Sequence, residues 1–99
     1  MAEVNLRTAS DPEIMVALGG RLRALRQAAG LSMVAVAERT GLSRRTVARA
    51  EAGDNPTLAT LIQLLRVLGR LGALESFIPR PEVSPLSLLA ERKGEPDRG

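Results

Sequence analysis

The stretch "GLSRRTVARAEAGDNPTL", residues 41–58, places Arg44, Arg45 and Arg49 within six positions, directly after a glycine and a serine. Ser43 is a residue type that caps helix starts, and "GDNP" from Gly53 is turn chemistry. "RRTVARAEA" therefore reads as a helix of two to three turns, too short to persist alone. Val47 and Ala50, three positions apart, give it one apolar side, so it must lean on a neighbour.

That neighbour lies just upstream. Ser32 can cap "MVAVAERT", a second short helix that ends at Gly41. Ala37 is small enough for two helix axes to approach there, and Gly41 supplies a positive φ at low cost. Val36, Leu42, Val47 and Ala50 form a shared apolar side. Two short helices with a tight glycine turn, the second strongly charged, make a helix-turn-helix pattern.

Further outward, "SDPE" at 10–13 starts a first helix, with Ser10 or Asp11 as cap, Pro12 in the first turn and Glu13 at the positive dipole end. Leu18, Leu22, Leu25 and Ala29 continue it to a stop at Gly30. Gly19-Gly20 weakens its middle, which predicts a regular helix only from about Arg21. Thr57 caps a fourth helix, "LATLIQLLRVLGR". A weaker fifth segment, "LGALESF", precedes Pro79 and Pro81. "SPLSLLAERKG" has the cap and proline of one more short helix, and "GEPDRG" is expected to be disordered.

Composition agrees with packed helices. Hydrophobic residues make up 44% of the 99 positions, yet Phe77 is the one aromatic, so the core is aliphatic. No run rich in β-branched and aromatic residues suggests a strand. The expected class is all-α. Without cysteine or histidine the chain lacks thiolate chemistry, the commonest metal ligand and the usual general base. Ser32, Ser43, Glu51 and Asp54 have no base, metal cluster or phosphate-cradling loop beside them, so an enzyme is not expected, nor any cofactor or metal. No apolar run approaches the ~20 residues of a membrane span, and the N-terminus lacks the order of a secretory signal, which predicts a cytoplasmic protein. Net charge is +3, but residues 21–70 hold nine arginines against Glu38, Glu51 and Asp54. The middle of the chain is the candidate anion-binding part.

From "LGGRLRALRQAAGLS" through "TGLSRRTVARAEAG" to "PTLATLIQLLRVLG", roughly residues 18–69, the sequence resembles the Cro/repressor-type (XRE-like) helix-turn-helix regulators. The resemblance implies a compact five-helix, lambda-repressor-like DNA-binding domain over residues 12–78, with the motif at 32–53. A flexible arm at 1–11 and a partly disordered extension at 79–99 flank it. It implies base-reading side chains at Arg44, Arg45 and Arg49, on a helix whose N-terminal turn enters the major groove, where Arg can bridge guanine O6 and N7. Thr46 and Ser43 fall near phosphates. Arg26 is expected to pair with Glu51. Two positions depart from the family: Met33 replaces a usual Gln, and Ala52 replaces the polar residue before the terminal Gly. Phosphate contacts then fall to Arg21, Arg23, Arg39, Asn55, Thr57 and the fourth helix N-terminus.

The fourth helix is apolar on two sides. Leu58, Leu61, Ile62, Leu65 and Leu68 form a row to cover the domain. Leu64, Val67, Leu71 and Leu74 form another, reaching toward Phe77 and Ile78, and this second stripe is expected at a homodimer interface. The function expected is a sequence-specific transcriptional regulator, a repressor that binds an inverted-repeat operator on double-stranded DNA. The stretch "EAGDNPTLATLIQLLRVLGRLGAL" is also similar to HipB-type antitoxins, for which the alternative is neutralisation of a protein toxin with autoregulation of the operon.

Overall fold

The computed structural model describes residues 4–82. The expected helix in "SPLSLLAERKG" lies outside them. Five helices follow in order: α1 (Asp11–Ala28), α2 (Met33–Thr40), α3 (Arg44–Glu51), α4 (Leu58–Val67) and, after a 3-10 turn at Leu71–Ala73, α5 (Leu74–Phe77). No strand occurs among the described residues.

Each of the four longer helices begins on a hydroxyl cap. The oxygens of Ser10, Ser32, Ser43 and Thr57 accept the N–H groups of Glu13, Ala35, Thr46 and Thr60. At α1 the cap is reciprocal: Glu13 Oε1 accepts the Ser10 N–H at 3.0 Å. That bond, then the Ser10 hydroxyl, holds the Glu13 carboxyl below the usual carboxylate value. The capping contribution is therefore complete above the ordinary range and is lost as pH falls through the lowered value. The helices end on glycines with positive φ: Gly41 (φ 78) closes α2, and Gly69 (φ 71) follows the α4 cap. Gly69 stops α4 two residues after Val67, earlier than the apolar run suggests, and Arg70 N–H donates back to Leu65 O at 2.7 Å.

The core is aliphatic. Leu22 of α1, Val36 of α2, Val47 and Ala50 of α3, and Leu64 and Leu65 of α4 are buried together. Val36 and Val47 are almost completely enclosed. Leu31, Met33, Ala37, Leu42, Leu61, Leu68, Leu71 and Leu74 pack around them, partly buried. α3 lies against both α1 and α2, and α2 also meets α4.

Two sequence expectations change here. The helix does not wait for Arg21: α1 runs unbroken through Gly19-Gly20. Gly19 is there for space. A Cβ on it would stand 2.5 Å from Glu51 O and 2.8 Å from Ala50 O, so the backbone of α1 and the last turn of α3 touch directly. Gly53 completes this contact: its φ is +75, and a Cβ would lie 2.6 Å from Met15 O. Nothing stands within 4 Å of a Cβ on Gly20.

The second change concerns α4. Its buried side runs through Thr60, Leu64 and Leu65, with Leu61 and Leu68 beside them, whereas Leu58 is 56% exposed. Leu64 therefore belongs to the core and not to an interface stripe. Thr60 fits inside because its hydroxyl accepts from Thr57 Oγ1 at 3.0 Å.

The neighbouring glycines separate space from propensity. Gly19→Ala is expected to destabilise by about 1–3 kcal/mol or more, because backbone must shift. Gly20→Ala is expected to stabilise by roughly 0.5–1 kcal/mol through helix propensity alone. Urea unfolding of the two variants checks the opposite signs.

Candidate nucleic-acid interface

The α3 helix divides cleanly by side. Val47 and Ala50 point into the core, while Arg44, Arg45 and Arg49 are exposed, with Ala48 half-buried among them. Arg44 and Ala48, like Arg45 and Arg49, are four residues apart and so share one face. Ala48 shares this face although composition and charge do not mark it. Its place between arginines, one turn after Arg44, is the signal that finds it, since a small side chain there lets the helix approach a surface closely.

The turn before α3 is fixed by local bonds. Thr40 Oγ1 donates to Val36 O at 2.8 Å and accepts the Leu42 N–H at 3.1 Å, while Gly41 takes the left-handed conformation. Ser43 Oγ then accepts Thr46 N–H at 3.0 Å and lies 2.8 Å from Thr46 Oγ1. The two hydroxyls proposed for phosphate contact thus share a hydrogen bond at the start of the arginine face.

A single ion pair holds the far end. Arg26, in the last turn of α1, donates from Nε to Glu51 Oε2 at 2.6 Å and from Nη2 to Glu51 Oε1 at 3.1 Å. Its Nη1 donates to Leu31 O at 2.8 Å, in the loop leading to α2. The side chains are only 10% and 6% exposed. The hydrogen bond to Glu51 raises the Arg26 guanidinium above its ordinary value; burial opposes this, and attraction to Glu51 adds to it. Arg26 therefore stays charged across the pH range in which such a fold persists. One guanidinium joins α1, the α1–α2 loop and the end of α3.

Arg49 is engaged differently. Its Nε donates to Asp54 Oδ2 at 2.8 Å, and both side chains are about half exposed, at 55% and 56%. Arg49, Thr46, Asp54, Asn55 and Thr57 border a notch of about 170 Å³ between α3 and the start of α4. Asn55 there adopts a positive φ of 44. The remaining phosphate candidates are exposed on other elements: Arg39 in the last turn of α2, and Arg21 and Arg23 on α1. Two residues apart, Arg21 and Arg23 point to different sides of α1. Arg21 borders an apolar groove with Leu25, Leu74 and Phe77, so it faces the α4–α5 end and away from the arginine face of α3.

Of the remaining dimer candidates, Val67 is half-buried, Leu71 and Leu74 pack partly against the core, and Phe77 and Ile78 are 50% and 70% exposed. Met33, where the family usually has Gln, rests partly buried against the core.

A helix-turn-helix family model matches residues 22–73, more than half of the chain. The chain belongs to this Cro/repressor-type (XRE) helix-turn-helix family. This regulator family binds DNA and is not an enzymatic one, and the chain is accordingly a DNA-binding transcriptional regulator. No curated protein sequence matches the chain. Among the described residues of the regulator, no group of His, Cys, Asp or Glu could hold a metal ion, and no helix is long and apolar enough to cross a membrane.

Removing one partner of the Arg26–Glu51 pair leaves a buried charge without compensation. Arg26→Ala or Glu51→Ala is expected to cost about 3–5 kcal/mol, and the double variant clearly less than the sum. Strict additivity in a double-mutant cycle, measured by urea unfolding, would contradict the structural role assigned to the pair.

Proposed function

We propose that this regulator is a sequence-specific repressor that binds an inverted-repeat operator as a homodimer, with α3 of each subunit in the major groove. The observation that carries the reading is the sidedness of α3: Arg44, Arg45 and Arg49 are all exposed on a helix whose opposite side is the centre of the core. Arg44 and Arg45 occupy its first turn, the part of a recognition helix that reaches base edges. Arg can discriminate guanine there by two parallel hydrogen bonds. Ser43, Thr46, Asn55, Thr57, Arg23 and Arg39 are the phosphate set, which fixes register and gives binding its salt dependence. Arg21 is the weakest member of that set, since it lies beside the apolar groove.

The homodimer follows from information content and from exposed apolar surface. One recognition helix reads too few base pairs to find one site among a genome's competing sequences. With Leu64 in the core, the interface reading rests on Val67, Leu71, Leu74, Phe77 and Ile78, centred on the two exposed members. The same exposed residues favour a second reading, an antitoxin whose apolar end grips a protein toxin and whose DNA binding is autoregulation.

Ile78→Glu puts a charge at the exposed end of this surface, far from the core. The expected result is a folded monomer by sedimentation, with unchanged helix content, that binds a full operator no better than a half-site. The wild type should bind half-sites whose centres lie about one DNA turn, ~34 Å, apart. A wild type that remains monomeric on its operator would contradict the homodimer, whereas a toxin gene beside this one in its operon would favour the antitoxin reading.

A further inference from the structure

We propose that Asp54 sets base specificity by positioning Arg49, holding its guanidinium through Nε and leaving both terminal amino groups for one guanine. The inference rests on the reading of α3 as the base-reading helix.

The three arginines of α3 are alike in sequence and unlike in the structure. Among the described residues, the guanidinium groups of Arg44 and Arg45 form no ion pair or hydrogen bond, whereas Arg49 gives its Nε to Asp54 Oδ2 at 2.8 Å and nothing else. A guanidinium is a planar fork, and guanine offers O6 and N7 as two adjacent acceptors. A carboxylate on the Nε edge leaves Nη1 and Nη2 for those acceptors. Arg26 provides the contrast within the same molecule: Glu51 takes Nε and Nη2 and Leu31 O takes Nη1, so each of its three nitrogens already has a partner inside the protein.

Asp54 is itself held in place. Beyond the end of α3, Gly53 N–H donates to Ala50 O at 3.1 Å and Asp54 N–H donates to Arg49 O at 2.9 Å. This turn requires the positive φ of Gly53, which the contact with Met15 reserves for glycine. Residues 49 and 54 are therefore joined twice, main chain to main chain and side chain to side chain. A long side chain tethered this way has less freedom to lose when it meets a base.

Stability does not account for the pair, because exposed ion pairs contribute little. Nor does general affinity, since a carboxylate beside the arginine face repels phosphates whatever the sequence. The property that the pair does change is how the Arg49 fork is presented.

The test is selection of bound duplexes from a randomised DNA library by wild type, Asp54→Ala, Asp54→Asn, Arg49→Ala and the Arg49→Ala/Asp54→Ala double variant. Wild type is expected to enrich a guanine that Arg49→Ala no longer selects. Asp54→Ala should lower preference for that guanine by about tenfold, while binding to unrelated duplex tightens as a negative charge is lost. Asp54→Asn keeps an acceptor oxygen and should retain part of the preference. In the Arg49→Ala background, Asp54→Ala should change nothing further at that position. The urea midpoint of each Asp54 variant should match wild type, which separates positioning from folding. If Asp54→Ala enriches the wild-type motif unchanged and merely binds all DNA more tightly, Asp54 only repels phosphates; the proposal fails and the base-reading of α3 stands. If wild type enriches no sequence, or Arg49→Ala leaves the motif intact, the base-reading role of Arg49 fails and the proposal with it.

Discussion

The architecture depends on how the last turn of α3 is seated against α1. Two interactions act at the same place. Gly19 and Gly53 remove the side chains that would hold the two backbones apart, and the buried Arg26–Glu51 pair closes over the contact. An eight-residue helix has too few internal hydrogen bonds to persist alone, so its orientation comes entirely from what it rests on. Its far end is fixed to α1 and its near end is capped by Ser43. The orientation of the arginine face is set by those contacts. A recognition surface on a loosely held helix would lose in ordering cost much of what its contacts gain.

The same side chain meets three environments in one small domain, and these separate the roles proposed for it. Arg26 is enclosed and bonded through all three guanidinium nitrogens, which makes it a joint. Arg44 and Arg45 stand in solvent at a helix start, which leaves their charge and all their donors for a polyanion. Arg49 is intermediate, held by one edge. Each role follows from burial and partner count and not from residue type, so a tally of basic residues alone would treat all of them as one patch.

Much of this was legible in the sequence because caps and glycines are local signals. Ser10, Ser32, Ser43 and Thr57 begin the helices that their positions suggest, and Gly41 turns where the motif needs it. What escaped the sequence was set by contacts between distant residues. Gly19-Gly20 looks like a helix breaker, but Gly19 answers to the carbonyls of Ala50 and Glu51, some thirty positions away, and tertiary contact overrides propensity. The two apolar rows of α4 are ambiguous by periodicity alone. Thr60 decides between them, entering the core with its hydroxyl bonded to Thr57 and turning Leu64 inward with it. Asp54 reads as ordinary turn chemistry until the turn brings it beside Arg49.

In the proposed complex, the arginine face of α3 is the surface that meets DNA. Titration of isotope-labelled protein with a short GC-rich duplex at low salt, followed by amide and guanidinium NMR shifts, tests it without knowledge of the operator. The largest shifts are expected at Ser43–Arg49 and around Asn55–Leu58, with Leu74–Ile78 little changed. Shifts concentrated on Leu74–Ile78, with Arg44, Arg45 and Arg49 unmoved, would contradict it.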